Sequence, residues 1–552
     1  MRFQLDHDWQ GNMSTPRVRV GEDVKTRLLL VLCAIWILLG LVGHAPWKPL
    51  ESTGISVVYG IINGNGLVAP LAHSVNKLDA PPLYYLSAAI SAKVLSPILE
   101  VHDGARLVNA LWLGIMLLMV GMTGREMWSL GVGRHATFIM IGTIGLVINA
   151  HSLNVEVANL TSLATGFYAL ALARRRPWRA SGLFGLALSV GFLSYGLLSL
   201  LILMITALTL PLIFSGWRSR SFIKFLCTAV AFASLPISAW LIAFHHLNPA
   251  LFSDWWQSSL NNLHRTNHFY FARILIWYAW PALPLALLGL WQFRHQLLVI
   301  PRFQLILTFF CCCLVLLGLG ASPKDISALP LLLPVVALAS GSVEHLKRGL
   351  AAALNWFGIL LFGVIGTAIW LGWIAMITSY PDKIKLRMQF LSGLDSISLN
   401  LIAAIIAILM TIIWVFVCIR AKQSNKSTVT NWAVGMTFCW VLLMTLWLPM
   451  IDAAKSYSST FTSLKQVLPM QYNCINSLNV ALPQRLLLNY HANITLIPFE
   501  ESQALSCDFY LLQDAKDSGV MQPGAEWQKI WAGRRNADRK EGFRLFRRVS
   551  NS

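Results

Sequence analysis

Three carboxylates, Glu51, Asp79 and Glu156, stand in stretches of the chain that otherwise carry few charges. Lys48 precedes Glu51 in "HAPWKPLES", and Tyr84 and Tyr85 follow Asp79 in "LDAPPLYYL". Arg106, Lys324 and the run "LNNLHRTNHFYFAR", with His264, Arg265 and His268, add further basic groups. A carboxylate can take a proton from an attacking group, and ammonium or guanidinium groups can stabilise an anion as it develops. No Walker loop, HExxH or Gly-x-Ser-x-Gly motif occurs, so those chemistries have no support. The cysteines of "CCC" (311–313) read as packed or lipid-facing, and no metal ligand is assigned; a divalent cation remains compatible with the remaining residues.

Each candidate also has a plain structural role open to it. Glu51 reads equally as a solvated loop acid. Glu156 reads as a first-turn charge favoured by the helix dipole. Lys324 and Asp325 read as a local pair. Trp47, Tyr84 and Tyr85 read as interfacial aromatics.

The elements that must position these residues cross a membrane. Of 552 residues, 56% are hydrophobic and 12% charged, about half the usual charge of a soluble chain. The net charge of +19 does not mark a nucleic-acid binder, because the basic residues fall in short clusters between apolar runs. Such runs recur at 27–43, 104–121, 136–150, 159–173, 181–195, 197–215, 222–244, 271–291, 303–320, 326–342, 352–379, 398–419 and 431–450. They predict about thirteen transmembrane helices. The first lacks a small-residue cleavage site and is read as a retained helix.

Lys and Arg in short loops set the orientation. The clusters at 173–179, 217–224, 294–302, 345–349 and 420–426 all fall inside if the N-terminus is cytoplasmic and the spans number thirteen. The C-terminus is then outside, and the candidate residues share the outer face. The first outer loop, 44–103, is expected to hold amphipathic helices lying on the membrane. The tail from 451 is polar, with strand-like "ITLIPF", "CDFYLL" and "FRLFRR" and a helical "LPQRLLLNY". It predicts a small α/β domain. Its two cysteines, Cys474 and Cys507, are expected to pair in an oxidising compartment. The expected division is a cytoplasmic segment 1–26, a transmembrane domain 27–450 and an external domain 451–552.

"PWKPLES", "NGNGLVAPLAHSVNKLDAPPLYYLSAA", "DGARLVNAL", "GFLSYGLLSL", "HFYFARILIWYAWPALPLALLGLW" and "KDISALPLLLPVVALA" occur in this order. In order and spacing they resemble the bacterial protein-mannosyltransferase-like glycosyltransferases (glycosyltransferase family 39-like). This is the GT-C group that includes the lipid A aminoarabinose transferase. The resemblance covers roughly residues 27–450. It implies a multi-pass protein of the bacterial inner membrane, with its C-terminal domain in the periplasm. It also implies an inverting sugar transfer from a polyprenyl-phosphate donor to an envelope acceptor, which could be lipid A, another glycan or a protein.

The resemblance implies that a carboxylate of the first external loop orients or deprotonates the acceptor and that basic residues hold the leaving lipid phosphate. Residue by residue, the chain departs from that pattern. Leu50 stands where the group has its aspartate, leaving Glu51 beside it. Ala80 and Tyr195 stand where it has lysines, and Lys324-Asp325-Ile326-Ser327 replaces an Arg-Glu-x-Tyr. Glu51, Glu156 and Asp79 are therefore the expected catalytic carboxylates. Lys48, Tyr84, Tyr85, Arg106, His264, Arg265, His268 and Lys324 are the expected substrate contacts. The departures keep open a catalytically inactive subunit that binds lipid-linked sugar, and the number of spans keeps open a transporter of such sugars.

Overall fold

A computed structural model describes residues 22–129, 131–262, 269–420, 425–498, 507–515, 524, 526–538 and 541–549. Helix α1 (Glu22–Leu38) enters the bundle. It is followed by α2 (Leu50–Ile62), α3 (Leu83–Leu95) and α4 (Val101–Arg106), then by α5 (Val108–Met127), α6 (Val132–Ile141) and α7 (Ile144–Asn149). Helices α8 (Glu156–Leu172), α9 (Pro177–Tyr195), α10 (Leu197–Ile213) and α11 (Arg220–Leu247) form the centre of the chain. Next come α12 (Pro249–Asn262), α13 (Tyr270–Tyr278), α14 (Ala282–Gln292) and α15 (Pro301–Gly320). A 3-10 turn (Asp325–Leu331) leads into α16 (Leu332–Ser342). The remaining long helices are α17 (Arg348–Thr378), α18 (Asp382–Ser392), α19 (Leu401–Arg420) and α20 (Asn425–Leu446).

Proline begins several of these helices. In α9 and α15 it sits in the first turn, where its missing N–H has no helical partner to lose. Helix α19 is the most apolar segment, with mean hydropathy 3.0, and most of its surface faces outward as lipid contact demands. Helix α8 is the opposite case: nearly every residue is buried, so it sits inside the bundle with Gly, Ser and Thr among its apolar residues.

Among the described residues, seven helices are long and apolar enough to cross a membrane, and an eighth span results if α13 and α14, bent by 103°, count as one. The other five expected runs form α1, the α6–α7 pair, α8, α9 and α10. Helices α1, α8 and α10 have 17 residues each, and the α6–α7 run is broken at Gly142-Thr143. These five are short, broken or more polar than a full span, so length and composition alone do not fix the number of crossings. The two helices expected in the first outer loop are α2 and α3. Both are well packed along one face instead of lying loosely on a surface.

The tail continues through α21 (Leu448–Lys455) and α22 (Ser458–Val467) into a five-stranded sheet. Its strands are β1 (Ile475–Leu478), β2 (Leu496–Pro498), β3 (Phe509–Ala515), β4 (Trp527–Gly533) and β5 (Glu541–Arg548), with α23 (Leu482–Ala492) between β1 and β2. The order is β2-β1-β3-β5-β4, parallel on the β1 side and antiparallel from β3 onward. Alternation in β3 and β5 sends Phe509, Leu511, Phe543 and Leu545 to the face that joins the main core, and Tyr510, Leu512 and Phe546 to a second small cluster. Strands β1 and β4 add to the three that the sequence pattern announces. Cys474 and Cys507 are joined by a disulfide, with Cα atoms 4.8 Å apart, tying the start of β1 to the chain entering β3.

This domain is fastened to the first-loop helices. Tyr490 of α23 stacks edge-on against Tyr59 of α2, with ring centroids 5.4 Å apart, and its hydroxyl lies 3.0 Å from Nδ1 of His102. His73 Nε2 is 2.9 Å from Thr495 Oγ1.

Candidate active site

The end of the bundle that carries the sheet domain holds a cavity of about 320 Å³. Its walls come from five places: Leu50 and Gly54 of α2, the Asp79–Tyr85 turn, the loop before α8, the α9–α10 junction, and the stretch from Gly320 to Ser327. Helix α12 closes it with Trp255, Ser259 and Asn262. Two glycines allow these walls to meet. Gly196 has φ +100°, a conformation that lets α9 turn directly into α10. At Gly54 a side chain would come within 2.7 Å of the Leu153 carbonyl, so only glycine admits this approach of α2 to the loop before α8.

Glu156 opens α8 and faces this cavity. The Asn154 side chain accepts from the Glu156 backbone N–H at 3.0 Å and so holds the first turn. The Glu156 carboxylate is buried and accepts only from neutral groups: the Tyr195 hydroxyl at 3.0 Å, the Ser327 hydroxyl at 3.2 Å and, more weakly, the Asn159 amide at 3.5 Å. Among the described residues it has no ion-pair partner. Asp79 and Lys324 line the same cavity and are exposed. The Tyr85 hydroxyl donates to Asp79 at 2.7 Å, which fixes the carboxylate while leaving it accessible. Asp325 does not pair with Lys324 but accepts from the Tyr270 hydroxyl at 2.6 Å.

Glu51 is placed differently. It does not line the cavity; Leu50, its neighbour, does. One residue along a helix turns a side chain by about 100°, and here that turn carries Glu51 into the protein. Its carboxylate receives Arg106 in a two-point contact, Nε at 2.7 Å and Nη2 at 3.1 Å. The backbone N–H groups of Trp47 and Leu153 donate to it at 2.9 Å each. Burial works against the Glu51 anion, but the Arg106 guanidinium and these donors outweigh it and hold the carboxyl down to about 2. Arg106 is 1% exposed, and its remaining donors go to Asp103 at 2.9 Å and the His44 carbonyl at 2.8 Å. All its charged contacts are internal.

The other expected contacts divide in the same way. Tyr84 is fully buried, and its hydroxyl donates to Asn109 at 2.9 Å, away from the cavity. Lys48 reaches the sheet domain, donating to both oxygens of Glu541 at 2.7 Å. The Tyr457 hydroxyl donates to the same carboxylate at 2.7 Å. His264, Arg265 and His268 lie outside the described residues, although Asn262 just before them is in the cavity wall. Among the described residues no cluster of three or more His, Cys, Asp or Glu side chains is arranged to hold a metal ion.

Sequence reasoning passed over Asp452 and Glu541. Asp452 accepts from Ala45 N–H at 3.1 Å and from the Trp47 indole at 2.9 Å, so the first-loop strap is held from the tail. No local pattern connects these positions to residues some 400 to 490 places earlier. Tyr195 and Ser327 are visible in sequence only as departures from the resembled group; their shared contact with Glu156 is a tertiary fact.

No family profile matches the chain. It is 25% identical over 354 residues to the undecaprenyl phosphate-alpha-4-amino-4-deoxy-L-arabinose arabinosyl transferase of Pseudomonas savastanoi pv. phaseolicola, a match covering 60% of this chain and 64% of that protein. It is 26% identical over 363 residues to the protein of the same name from Pseudomonas aeruginosa strain UCBPP-PA14, covering 61% and 63%. The chain thus spans just under two thirds of the length of these relatives. Its fold is that of ArnT from Cupriavidus metallidurans, solved bound to undecaprenyl phosphate: TM-score 0.67 at 12% identity, over 95% of this chain and 98% of that one. The chain therefore has the GT-C fold with a small C-terminal sheet domain, and its apolar helices are those of a multi-pass membrane protein.

Proposed function

We propose that this chain is an inverting glycosyltransferase that moves a sugar from a polyprenyl-phosphate donor to an envelope acceptor. The observation that carries the reading is Glu156: a buried carboxylate with no ion-pair partner among the described residues, facing a cavity that also holds Lys324, in a fold shared with a protein that binds undecaprenyl phosphate. The relatives' names add a lipid-phosphate-linked aminoarabinose as donor for those proteins.

In this reading the acceptor oxygen attacks the anomeric carbon. The bond from that carbon to the phosphate oxygen breaks, and its electron pair leaves with the polyprenyl phosphate. A hydroxyl acceptor gives its proton to Glu156, which Tyr195 and Ser327 hold in place. Lys324 neutralises the departing phosphate, and Asp79, oriented by Tyr85, hydrogen-bonds the sugar or acceptor. Glu51 and Arg106 touch no substrate; they build the wall that Leu50 presents.

The cavity end faces the periplasm and the N-terminus the cytoplasm. Support comes from the basic clusters 173–179 and 217–224, which follow the ends of α8 and α10 remote from Glu156 and Leu197. The units are 1–26, 27–450 and 451–552, with the last in the periplasm.

Mass spectrometry of envelope lipids and glycans from a deletion strain tests the reaction. One sugar should disappear from one component and return with the wild-type gene. An unchanged envelope, together with tight binding of undecaprenyl phosphate-linked sugar and no turnover, would replace the transferase with a non-catalytic binding subunit.

A further inference from the structure

At the opposite end of α9 from the active-site cavity, a second crevice opens between the first turns of α9 and α11. Helix α9 runs nineteen residues from Pro177 to Tyr195, a rise of about 27 Å, so the two sites lie at opposite ends of the bundle. The crevice holds about 260 Å³ and is lined by Trp178, Arg220, Ser221 and Lys224 over a floor of Phe225, which packs against Phe184 of α9. A shallower hollow at Arg176 and Arg179 adjoins it.

The neighbouring cations are already engaged. Arg175 pairs with Glu126, Arg174 lies over the Trp217 ring, and Arg218 donates to the carbonyls of Pro211 and Leu212. Arg176, Arg179, Arg220 and Lys224 differ. All four are exposed, and among the described residues none has an ion-pair partner. Trp178 is 74% exposed between them, an indole placed where interfacial tryptophans sit. On the face of α11 that carries Lys224, Leu235 and Ile242 are 76% and 58% exposed, an apolar strip running down the lipid side of the helix.

We propose that this crevice binds the phosphodiester headgroup of an anionic phospholipid, with the acyl chains along the α11 strip. Four exposed cations gathered at one crevice, with no ion-pair partner among the described residues, attract an anion. The apolar strip continuing from them selects a lipid over a free ion, and basic pockets between membrane helices suit such headgroups. The site is separate from the transferase chemistry and stands whatever reaction the other end performs.

Native mass spectrometry of the full chain in detergent, mixed with phosphatidylglycerol or phosphatidylcholine, tests this. Phosphatidylglycerol should be retained at least about tenfold more strongly. The double variant Arg220→Gln/Lys224→Gln should lose roughly tenfold or more of that retention, and Trp178→Ala a smaller part, with thermal unfolding unchanged for these exposed positions. Arg294→Gln, another basic position outside the crevice, should retain phosphatidylglycerol as the parent does. Equal retention of the two lipids overturns the site, as does an equal loss in the Arg294 variant. Displacement of phosphatidylglycerol by millimolar inorganic phosphate would make it a free-phosphate site and overturn the lipid assignment.

Discussion

Glu51 and Glu156 are two buried carboxylates close to the first turn of a helix at the same end of the molecule, yet they differ in what surrounds them. Glu51 accepts from a guanidinium at two points and from two backbone amides, so its lone pairs are in use and its charge is compensated. Glu156 accepts from hydroxyls and an amide, has no ion-pair partner among the described residues, and looks into a cavity. A buried acid with all its contacts internal holds structure together. A buried acid whose partners are neutral and whose open side meets a cavity is available to a substrate proton. Residue type and nearness to the expected catalytic position favour Glu51; the contacts favour Glu156.

The comparison breaks most visibly at the ion pair. Glu51→Gln should destabilise the folded chain by roughly 3–5 kcal/mol, because it leaves the Arg106 guanidinium buried with its main partner gone. Thermal unfolding in detergent measures this, and an unchanged Tm would end the structural role assigned to Glu51. The pair also has a pH signature. The Glu51 carboxyl titrates lower in the folded chain than in the unfolded one, so its contribution is full above about pH 4.5 and fades as pH falls toward 2. The parent should therefore lose Tm between pH 5 and 3 more steeply than the Glu51→Gln variant does.

Glu156→Gln should do the reverse. Transfer should fall by about 10²–10⁴-fold while stability changes by less than about 1 kcal/mol, since the amide keeps an oxygen for Tyr195 and Ser327. A variant with parental turnover would remove Glu156 from the proton's path. Gly54→Ala sharpens the contrast from the wall between them. Its methyl meets the carbonyl of Leu153, whose N–H serves Glu51, so a loss of about 1–3 kcal/mol should come with weakened transfer. The smallest effect belongs to Glu541→Gln. It weakens a partly exposed pair with Lys48 worth about 1 kcal/mol or less, and raised protease sensitivity at the sheet domain's junction should report it without loss of the bundle.

The spacing of apolar runs and basic clusters made a multi-pass helical protein legible, and the tail's alternation announced a small sheet with a cysteine pair. The helix count was less legible. Apolar length does not distinguish a lipid-facing helix such as α19 from an interior one such as α8, and the break between α6 and α7 is set by packing. In the site, Asp79, Tyr85, Glu156 and Lys324 do share a cavity, whereas Lys48, Glu51, Tyr84 and Arg106 are taken up by internal contacts. The sequence could not separate the two groups, because the partners that decide, Glu541, Leu153 and Asn109, have no fixed spacing from the residues they hold.

What the sequence determined by itself is composition and order: which segments are apolar, where the sparse charges fall between them, and where the polar tail begins. Those properties follow from local composition, which hydropathy and charge report directly. Only the tertiary structure decided which carboxylate is free. That depends on a turn of about 100° between Leu50 and Glu51, and on whether a cation from another helix arrives to meet the side chain.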